Sequence, residues 1–388
     1  MATVHPYDIK AGRRYLVRYM KPNGDQGFKR GFQTIEAARY WASEVEVGKH
    51  QGTYVDPRFG KLRLSTLADA WLAMKKAKLK PSSYKPLDSA WRTHVEPKWG
   101  AWQLAAIETT DVEDWITWMV SEIRDDDDPE KIVKKAYSAT TVIRAHSVLA
   151  GLLDRAVRDR KLAANKARTV ENLPSKKPKR KIYLTHQQVD AFTAELPEQW
   201  QRTLVALAAY CGPRWGEIVG LRVENLDLLR RRIIIERNVV QVGARFEIGT
   251  PKSGKPRTVA LPLFVVELLA KQAEGKDRGG LLFPGPAGDW LRRPNSERGW
   301  FVSAARKIGV KELTPHDLRH TAASLAVQSG ASVKGVQAML GHEKASMTLD
   351  VYADLFDDDL DQVASALDAA RTRSLQVDST VATVHPFG

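Results

Sequence analysis

The segment from Leu313 to Phe356 carries His316, Arg319, His342 and Tyr352, whose side-chain chemistry suits a phosphodiester. His316 and Arg319 are three positions apart, so they project from one face at the start of a predicted helix. His342 follows a predicted helix end, and Tyr352 comes ten residues after it. An arginine fork matches phosphate oxygens, a histidine can carry a proton near neutral pH, and an activated tyrosine can attack covalently. The combination favours a phosphodiester over a carbonyl as the group acted on.

Three predicted helices position these residues. Apolar side chains at helical spacing predict a helix over Pro315–Gly330, a short one over Val333–Leu340 and a third over Ala345–Ala353. Taken singly, the histidines are better explained as structural residues of the fold, and Tyr352 as a half-buried tyrosine. The strings HDLRHT, LGH and VYA in this order favour a functional site.

The segment resembles the C-terminal signature of the tyrosine recombinases, the phage integrase family. The family's H-x-x-R and L-G-H motifs correspond to the stretches His316–Arg319 and Leu340–His342, and its tyrosine corresponds to Tyr352. In its organisation the chain resembles three-domain integrases of temperate phages or of integrative elements of actinobacteria. The resemblance implies a further arginine upstream and a lysine in a hairpin turn.

Both implied residues have candidates in the expected order. The string from Cys211 to Leu221 matches the family's T-G-x-R-x-x-E-x-x-x-L motif, with cysteine in place of the threonine. The resemblance makes Arg214 the first catalytic arginine and Glu217 the acid that supports the site, although residues at this spacing also form simple surface ion pairs of about 0.2–0.5 kcal/mol. In the following hairpin turn it makes Lys252 the catalytic lysine, with Lys255 as the alternative.

The resemblance also implies the roles of these residues. Tyr352 would attack a DNA phosphate, giving a 3′-phosphotyrosyl link and a free 5′-hydroxyl. Arg214 and Arg319 would hold the non-bridging oxygens and stabilise the charge of the transition state. Lys252 would protonate the leaving 5′ oxygen.

The remaining roles are supporting ones. His316 would assist proton transfer at the tyrosine, His342 would hydrogen-bond the phosphate, and Glu217 would orient the histidine and arginine side chains. The covalent link conserves the bond energy, so no ATP is expected. Two arginines can do the electrostatic work of a metal ion, so we expect no metal and no cofactor.

Composition agrees with a protein that binds a polyanion. The chain has 388 residues with a net charge of +14, which suggests nucleic acid as the partner but also allows an acidic membrane surface. Cys211 is the one cysteine, which fits a reducing compartment, and no apolar run has the length of a membrane span. We therefore expect a cytoplasmic protein of a bacterial host cell, associated with the nucleoid.

The predicted fold is mainly α with small β-sheets (α+β) in three modules. Residues 1–64 predict a β-β-α module similar to an arm-type DNA-binding domain, and residues 65–165 a helical module similar to the core-binding (SAM-like) domain. Residues 166–181 form a basic linker, and residues 182–388 form the mixed α/β catalytic domain. A generic β-β-α module is an equal alternative for the first segment when it is taken alone.

Basic residues in two of these segments are candidates for DNA contact. In the first module they are Arg14, Arg18, Lys29 and Arg30. In the linker they are Lys176, Lys177, Lys179 and Arg180. A linker that touches nothing is the alternative interpretation.

The predicted function is that of a site-specific DNA recombinase that integrates, and excises, a mobile element at attachment sites in double-stranded DNA. The resemblance implies a homotetramer on DNA, with a host DNA-bending protein and an excision factor as further candidate partners. Two alternatives stay open: a type IB topoisomerase-like enzyme with the same chemistry, and a catalytically silent DNA-binding regulator. An apolar stripe at Leu360, Val363, Ala364 and Leu367 predicts a C-terminal helix that docks on a neighbouring protomer or on its own domain.

Overall fold

The structure is a computed structural model, and it describes residues 2–21, 24–50, 54–125, 128, 130, 132–176, 181–251, 254–295, 297–352, 364–365 and 367–375. The chain divides into two compact units, Met1–Pro178 and Lys179–Gly388. Within the described ranges, no helix is long and apolar enough to cross a membrane. Helices with a few small sheets dominate both units, which confirms the predicted α+β class.

The first unit begins with a three-stranded antiparallel sheet packed on one helix. Its elements are β1 (Thr3–Ile9), β2 (Gly12–Met20), β3 (Gln26–Phe32) and α1 (Ile35–His50), in the sheet order β1-β2-β3. Val17 of β2 is fully buried against Ala38 and Ala42 of α1. The β-β-α prediction was wrong in omitting β1, whose Pro6 masks the strand pattern but is tolerated because β1 lies at the sheet edge.

The rest of this unit is a helical module around buried tryptophans. Its helices are α2 (Pro57–Gly60), α3 (Leu64–Lys78), α4 (Pro81–Ala90), α5 (Glu96–Trp99), α6 (Thr109–Val120) and α7 (Ala139–Arg158). A small hairpin of β4 (Ile123–Arg124) and β5 (Ile132–Lys134) joins the last two. Trp99, Trp115 and Leu149 belong to its buried core.

Pro97 lies within a helical stretch of the chain without ending it. A π-helical turn over Trp91–Val95 connects α4 to α5, and Pro97 lies in the first turn of α5. A proline is tolerated there because the hydrogen-bond pattern already changes at the π turn.

The second unit contains the predicted chemical groups. Its helices are α8 (His186–Ala194), α9 (Gln199–Cys211), α10 (Trp215–Val219), α11 (Leu263–Ala273), α12 (Trp300–Lys307), α13 (Pro315–Gln328), α14 (Val333–Leu340) and α15 (Ala345–Tyr352). Its strands are β6 (Leu226–Asp227), β7 (Arg232–Ile235), β8 (Asn238–Val242), β9 (Arg245–Gly249) and β10 (Arg257–Ala260). They form the antiparallel sheets β10-β7-β6 and β8-β9. The three helices predicted around His316, His342 and Tyr352 are confirmed as α13, α14 and α15.

Candidate active site

The start of α13 is fixed by its own sequence. Thr314 is the N-cap of the helix. The backbone N–H and the hydroxyl of Thr314 donate hydrogen bonds to the Asp317 carboxylate at 2.8 and 2.5 Å. Pro315 occupies the first turn, where its missing N–H costs nothing. This cap sets the rotation of the helix, so His316, Arg319 and His320 begin it in a defined orientation.

Arg319 is buried at the centre of the site and joins two of the sequence motifs. Its side chain is 3% exposed, and it donates to the carbonyl of Gly212 at 2.6 Å and to that of Leu340 at 2.7 Å. Gly212 adopts a left-handed conformation with φ of 66°, and a Cβ there would lie 2.7 Å from the Leu340 side chain. Burial, with a contribution from Arg214, lowers the pKa of Arg319 to about 9.

Glu217 is a buried carboxylate held between two arginines. It accepts from the Arg214 guanidinium at 3.0 Å and from the Arg214 backbone N–H at 2.8 Å. It also accepts two bonds from Arg257, at 2.9 and 2.6 Å. The Glu217 side chain is fully buried, so these bonds are in a site with little water. Burial opposes its ionisation, but Arg257 and Arg214 together hold the pKa of the carboxyl below its ordinary value.

Tyr352 is buried, and its hydroxyl contacts a histidine. The residue is 2% exposed and packs with Ala323, Val336 and Leu340. Its hydroxyl lies 2.9 Å from Nδ1 of His320. Burial raises the pKa of Tyr352 to about 12, against the opposing effect of Arg319, so the phenol is protonated at neutral pH.

His320 is neutral in this site. Burial, with His316 as the next cause, lowers the pKa of His320 to about 4. A neutral imidazole can accept the phenol's hydrogen bond through Nδ1, so the pair is arranged as acid and acceptor. The sequence interpretation assigned the tyrosine's proton transfer to His316, whose ring lies 4.8 Å from that of His320.

His342 lies at the end of α14 and points at α15. Its Nδ1 is 2.9 Å from the Thr348 hydroxyl, and the preceding Gly341 closes α14 in a left-handed conformation. Burial, followed by Arg319 and Arg214, lowers the pKa of His342 to about 4. The pKa of His316 is lowered as well, first by burial and then by Arg319. The hydrogen bonds of Arg319 to Gly212 and Leu340 bring the start of α13, the arginine motif and the end of α14 into one site.

The fold therefore brings most of the predicted catalytic residues together. They are Arg214, Glu217, His316, Arg319, His342 and Tyr352. Lys252 lies outside the described residues. Sequence reasoning missed His320 and Arg257; His320 stands inside the quoted string HDLRHT, whereas Arg257 belongs to none of the quoted strings.

The four basic residues predicted for the first module do not share one face. Val17 and Tyr19 are buried toward α1, so Arg14 and Arg18 project from the opposite, open face of the sheet. Arg30 is paired with Leu16 on that open face. Lys29 is paired with buried Val17, and its Nζ lies 4.8 Å from the Trp41 ring of α1.

The open face combines charge with an exposed aromatic ring. Phe28 is 66% exposed, and the Arg30 guanidinium lies 5.2 Å from its ring centre. In the linker, Lys176 is exposed, whereas Lys177, Lys179 and Arg180 lie outside the described residues. Of the basic residues predicted for DNA contact in the first module, three therefore lie on the open face of the sheet: Arg14, Arg18 and Arg30.

The site's chemistry is cationic. Within the described ranges no group of three or more histidine, cysteine, aspartate or glutamate side chains is arranged to hold a metal ion. The site contains arginine side chains, neutral histidines and a protonated phenol. Such a set can bind an anion, stabilise negative charge that develops on it, and supply an oxygen nucleophile.

The buried histidines predict how stability depends on pH. Their lowered pKa values mean that the unfolded chain binds more protons between the ordinary value of 6.5 and about 4. The free energy of unfolding should therefore fall as the pH is lowered from 7 to 5. Thermal unfolding of the full chain across this range should show a weaker pH dependence for the double variant His320→Asn/His342→Asn.

His186→Asn, at an exposed position of the same unit, is the matched control and should keep the wild-type pH dependence. A double variant with an unchanged pH dependence would contradict the account of these two histidines as buried neutral groups.

Comparison with known proteins finds similarity to phage integrases in two parts of the chain. The sequence model described as "Phage integrase family" matches residues 182–358, and that described as "Phage integrase, N-terminal SAM-like domain" matches residues 63–119. The chain is 29% identical over 229 residues to the putative prophage phiRv2 integrase of Mycobacterium tuberculosis. That match covers 56% of this chain and 60% of the relative's length.

Solved structures show the same fold. The Tn1549 transposon integrase in complex with circular intermediate DNA has a TM-score of 0.62 at 19% identity, covering 78% of this chain and 100% of that one. A lambda integrase tetramer bound to a Holliday junction has a TM-score of 0.53 at 16% identity, covering 88% of this chain and 96% of that one.

Proposed function

Because the chain belongs to the phage integrase family, whose two sequence models together match more than half of it, we propose that it is a site-specific DNA recombinase. It cuts and rejoins DNA at attachment sites through a 3′-phosphotyrosyl intermediate and thereby integrates, and excises, a mobile element. The observation that carries the proposal is the convergence of Tyr352, Arg319 and Arg214 in one buried cationic site.

The reaction is an exchange of one phosphodiester for another. The Tyr352 oxygen attacks the phosphorus, and the bond from phosphorus to the 5′ oxygen breaks. The phenol proton passes to His316 or His320, of which His320 lies within hydrogen-bond distance in this structure. The leaving 5′ oxygen takes a proton from Lys252, which gives the free 5′-hydroxyl that later attacks in the reverse step.

The arginines carry the electrostatic part of catalysis. Arg214 and Arg319 bind the non-bridging oxygens and stabilise the charge that collects on them in the transition state, and His342 adds a hydrogen bond. Arg319 donates to two backbone carbonyls, which leaves three of its five N–H groups for a phosphate. Because Tyr352 and Arg319 are both buried here, DNA has to open this part of the site before the attack.

The proposed partners are DNA, further copies of this chain and two accessory proteins. We assign residues 1–64 to arm-type DNA sites, residues 65–165 to the core site, the linker 166–181 to the phosphate backbone, and residues 182–388 to catalysis. The related lambda integrase was captured as a tetramer on a Holliday junction, and we propose the same assembly for this chain. A host DNA-bending protein and an excision factor complete the proposed partners, and the bacterial cytoplasm is where the DNA substrate lies.

A suicide substrate tests this function. A duplex with a candidate crossover site carries a nick just 3′ of the scissile phosphate, so the short fragment with the 5′-hydroxyl diffuses away and the covalent adduct accumulates. The protein should form a protease-sensitive adduct in the presence of EDTA. Binding without any adduct, on a site recovered by selection from random DNA, would favour a silent regulator, and relaxation of plasmid DNA without site preference would favour a topoisomerase.

The position of Arg18 on the open face of the N-terminal sheet predicts that its charge contributes to DNA binding. Arg18→Glu should weaken binding to arm-type DNA roughly tenfold and reduce the slope of log K against log salt by about 1, because a phosphate contact is lost. Lys29→Glu is the matched control, with the same charge change in the same sheet but on the side of α1. Equal losses in the two variants would contradict the assignment of the open face to DNA.

A further inference from the structure

Arg257 of β10 makes a two-pronged ion pair inside the site. Its Nη1 donates to Glu217 Oε1 at 2.9 Å and its Nη2 to Glu217 Oε2 at 2.6 Å. The Arg257 side chain is 10% exposed and that of Glu217 is fully buried. A bidentate pair in this environment fixes the direction of both groups more tightly than a surface pair does.

The same carboxylate also holds Arg214. Oε1 accepts from the Arg214 guanidinium at 3.0 Å, and Oε2 accepts from its backbone N–H at 2.8 Å. Each oxygen of Glu217 is thus shared between the two arginines. The position of the Arg214 side chain depends on a carboxylate whose own position is set by Arg257.

Arg257 also packs against the backbone that leads to His342. A Cβ at Gly341 would lie 2.6 Å from Arg257 Cδ, 2.7 Å from Nε and 2.9 Å from Cζ. Gly341 has a φ of 66°, so glycine meets both the conformation and the close approach. The buried Nε of Arg257 has no hydrogen-bond partner among the described residues.

The charges around Glu217 determine how much positive charge Arg214 can offer to an anion. One carboxylate lies between two guanidinium groups, so a net positive charge remains on the cluster. Without Arg257, Glu217 would be neutralised by Arg214 alone. The Arg214 guanidinium would then be drawn into a full ion pair and would offer less charge to a phosphate oxygen.

We propose that Arg257 is a positioning residue for DNA cleavage, which keeps Arg214 free to bind the scissile phosphate and supports the His342 backbone. The proposal rests on the function proposed above. Arg257 itself need not touch the DNA. Arg257 affects how strongly Arg214 binds the non-bridging oxygen. The resulting change in the cleavage rate can be measured separately from folding.

The test compares cleavage of an ordinary suicide substrate with one carrying a methylphosphonate at the scissile position. A methylphosphonate lacks one charged non-bridging oxygen, so the need for Arg214 is reduced. At saturating DNA, Arg257→Gln should cleave phosphate DNA about 100-fold more slowly than wild type, as expected for weakening one electrostatic contact to the transition state. On the methylphosphonate the difference from wild type should shrink to a few-fold, and DNA affinity should be unchanged on both substrates.

Arg237→Gln is the matched control, because Arg237 also contacts two carboxylates in the same unit, those of Glu224 and Glu236. It should cleave both substrates at the wild-type rate. Arg257→Lys retains a charge beside buried Glu217 and should recover part of the rate on phosphate DNA. If Arg257→Gln does not fold, Arg257→Lys replaces it in the test. Its cleavage defect on phosphate DNA should then be larger than its defect on methylphosphonate DNA.

Three results would overturn the inference. One is an Arg257 variant that cleaves phosphate DNA at the wild-type rate. Another is a defect of equal size on phosphate and methylphosphonate DNA, which indicates a purely structural role. The third is a defect of the same size in Arg237→Gln. In each of these the wild type still forms its adduct and the proposed function stands, whereas a wild type without adduct refutes the proposed function itself.

Discussion

Tyr352→Phe is expected to bind DNA as tightly as the wild type and to form no covalent adduct with it. The change removes the one oxygen that attacks the phosphorus, so the cleavage rate should fall at least ~10⁴-fold, as when an enzyme loses its nucleophile. The ring of phenylalanine still fills the cluster with Ala323, Val336 and Leu340. Only the hydrogen bond to His320 is lost, which costs about 1 kcal/mol of the free energy of unfolding.

Tyr183→Phe is the matched control for this variant. Tyr183 packs against the same cluster and its ring centre lies 6.3 Å from that of His320, so the two changes alter similar surroundings. It should retain adduct formation on the suicide substrate. An adduct in Tyr352→Phe, or its loss in Tyr183→Phe alone, would move the nucleophile away from Tyr352.

Arg319→Met is expected to cause two losses at once, in cleavage and in stability. Cleavage should fall about 10³-fold because a ligand of the transition state is removed. The free energy of unfolding should fall by about 3 kcal/mol, because the carbonyls of Gly212 and Leu340 lose a charged donor in a buried place. Single-turnover cleavage and denaturant unfolding measure the two effects separately.

Arg214→Met is expected to separate the loss of cleavage from the loss of stability. The Arg214 side chain is 22% exposed, and Glu217 keeps both bonds from Arg257, so we expect a stability loss of only about 1 kcal/mol. Its cleavage should nevertheless fall about as far as that of Arg319→Met. If both variants lose the same stability, the view that Arg319 is built into the fold while Arg214 serves the substrate would be contradicted.

The order of motifs was predictable because each is short and local. Apolar side chains at helical spacing predicted the helix that carries His316 and Arg319, and Gly330 and Gly341 predicted where that helix and the next one end. The spacing of three residues between Arg214 and Glu217 offered an ion pair as one interpretation, and the structure contains this pair in a partly buried place. Such features depend only on residues that are close together in the sequence.

The contacts that the sequence could not reveal join distant elements. Arg257 meets Glu217 across 40 positions, and His320 meets Tyr352 across 32. Which of two histidines on one helix faces the tyrosine depends on how α15 packs against α13, and no local pattern records that packing. Neighbouring residues of a strand alternate between faces, but which of Lys29 and Arg30 lies on the side of α1 depends on the pairing of Lys29 with Val17 of β2.

The location of the covalent bond shows which side chain is the nucleophile and which DNA end it holds. The adduct of wild-type protein with the suicide substrate would be digested with protease and nuclease, and the peptide that retains a nucleotide would be sequenced by mass spectrometry. The account predicts a nucleotide joined through its 3′-phosphate to Tyr352. A nucleotide on any other side chain, or one attached through a 5′-phosphate, would contradict it.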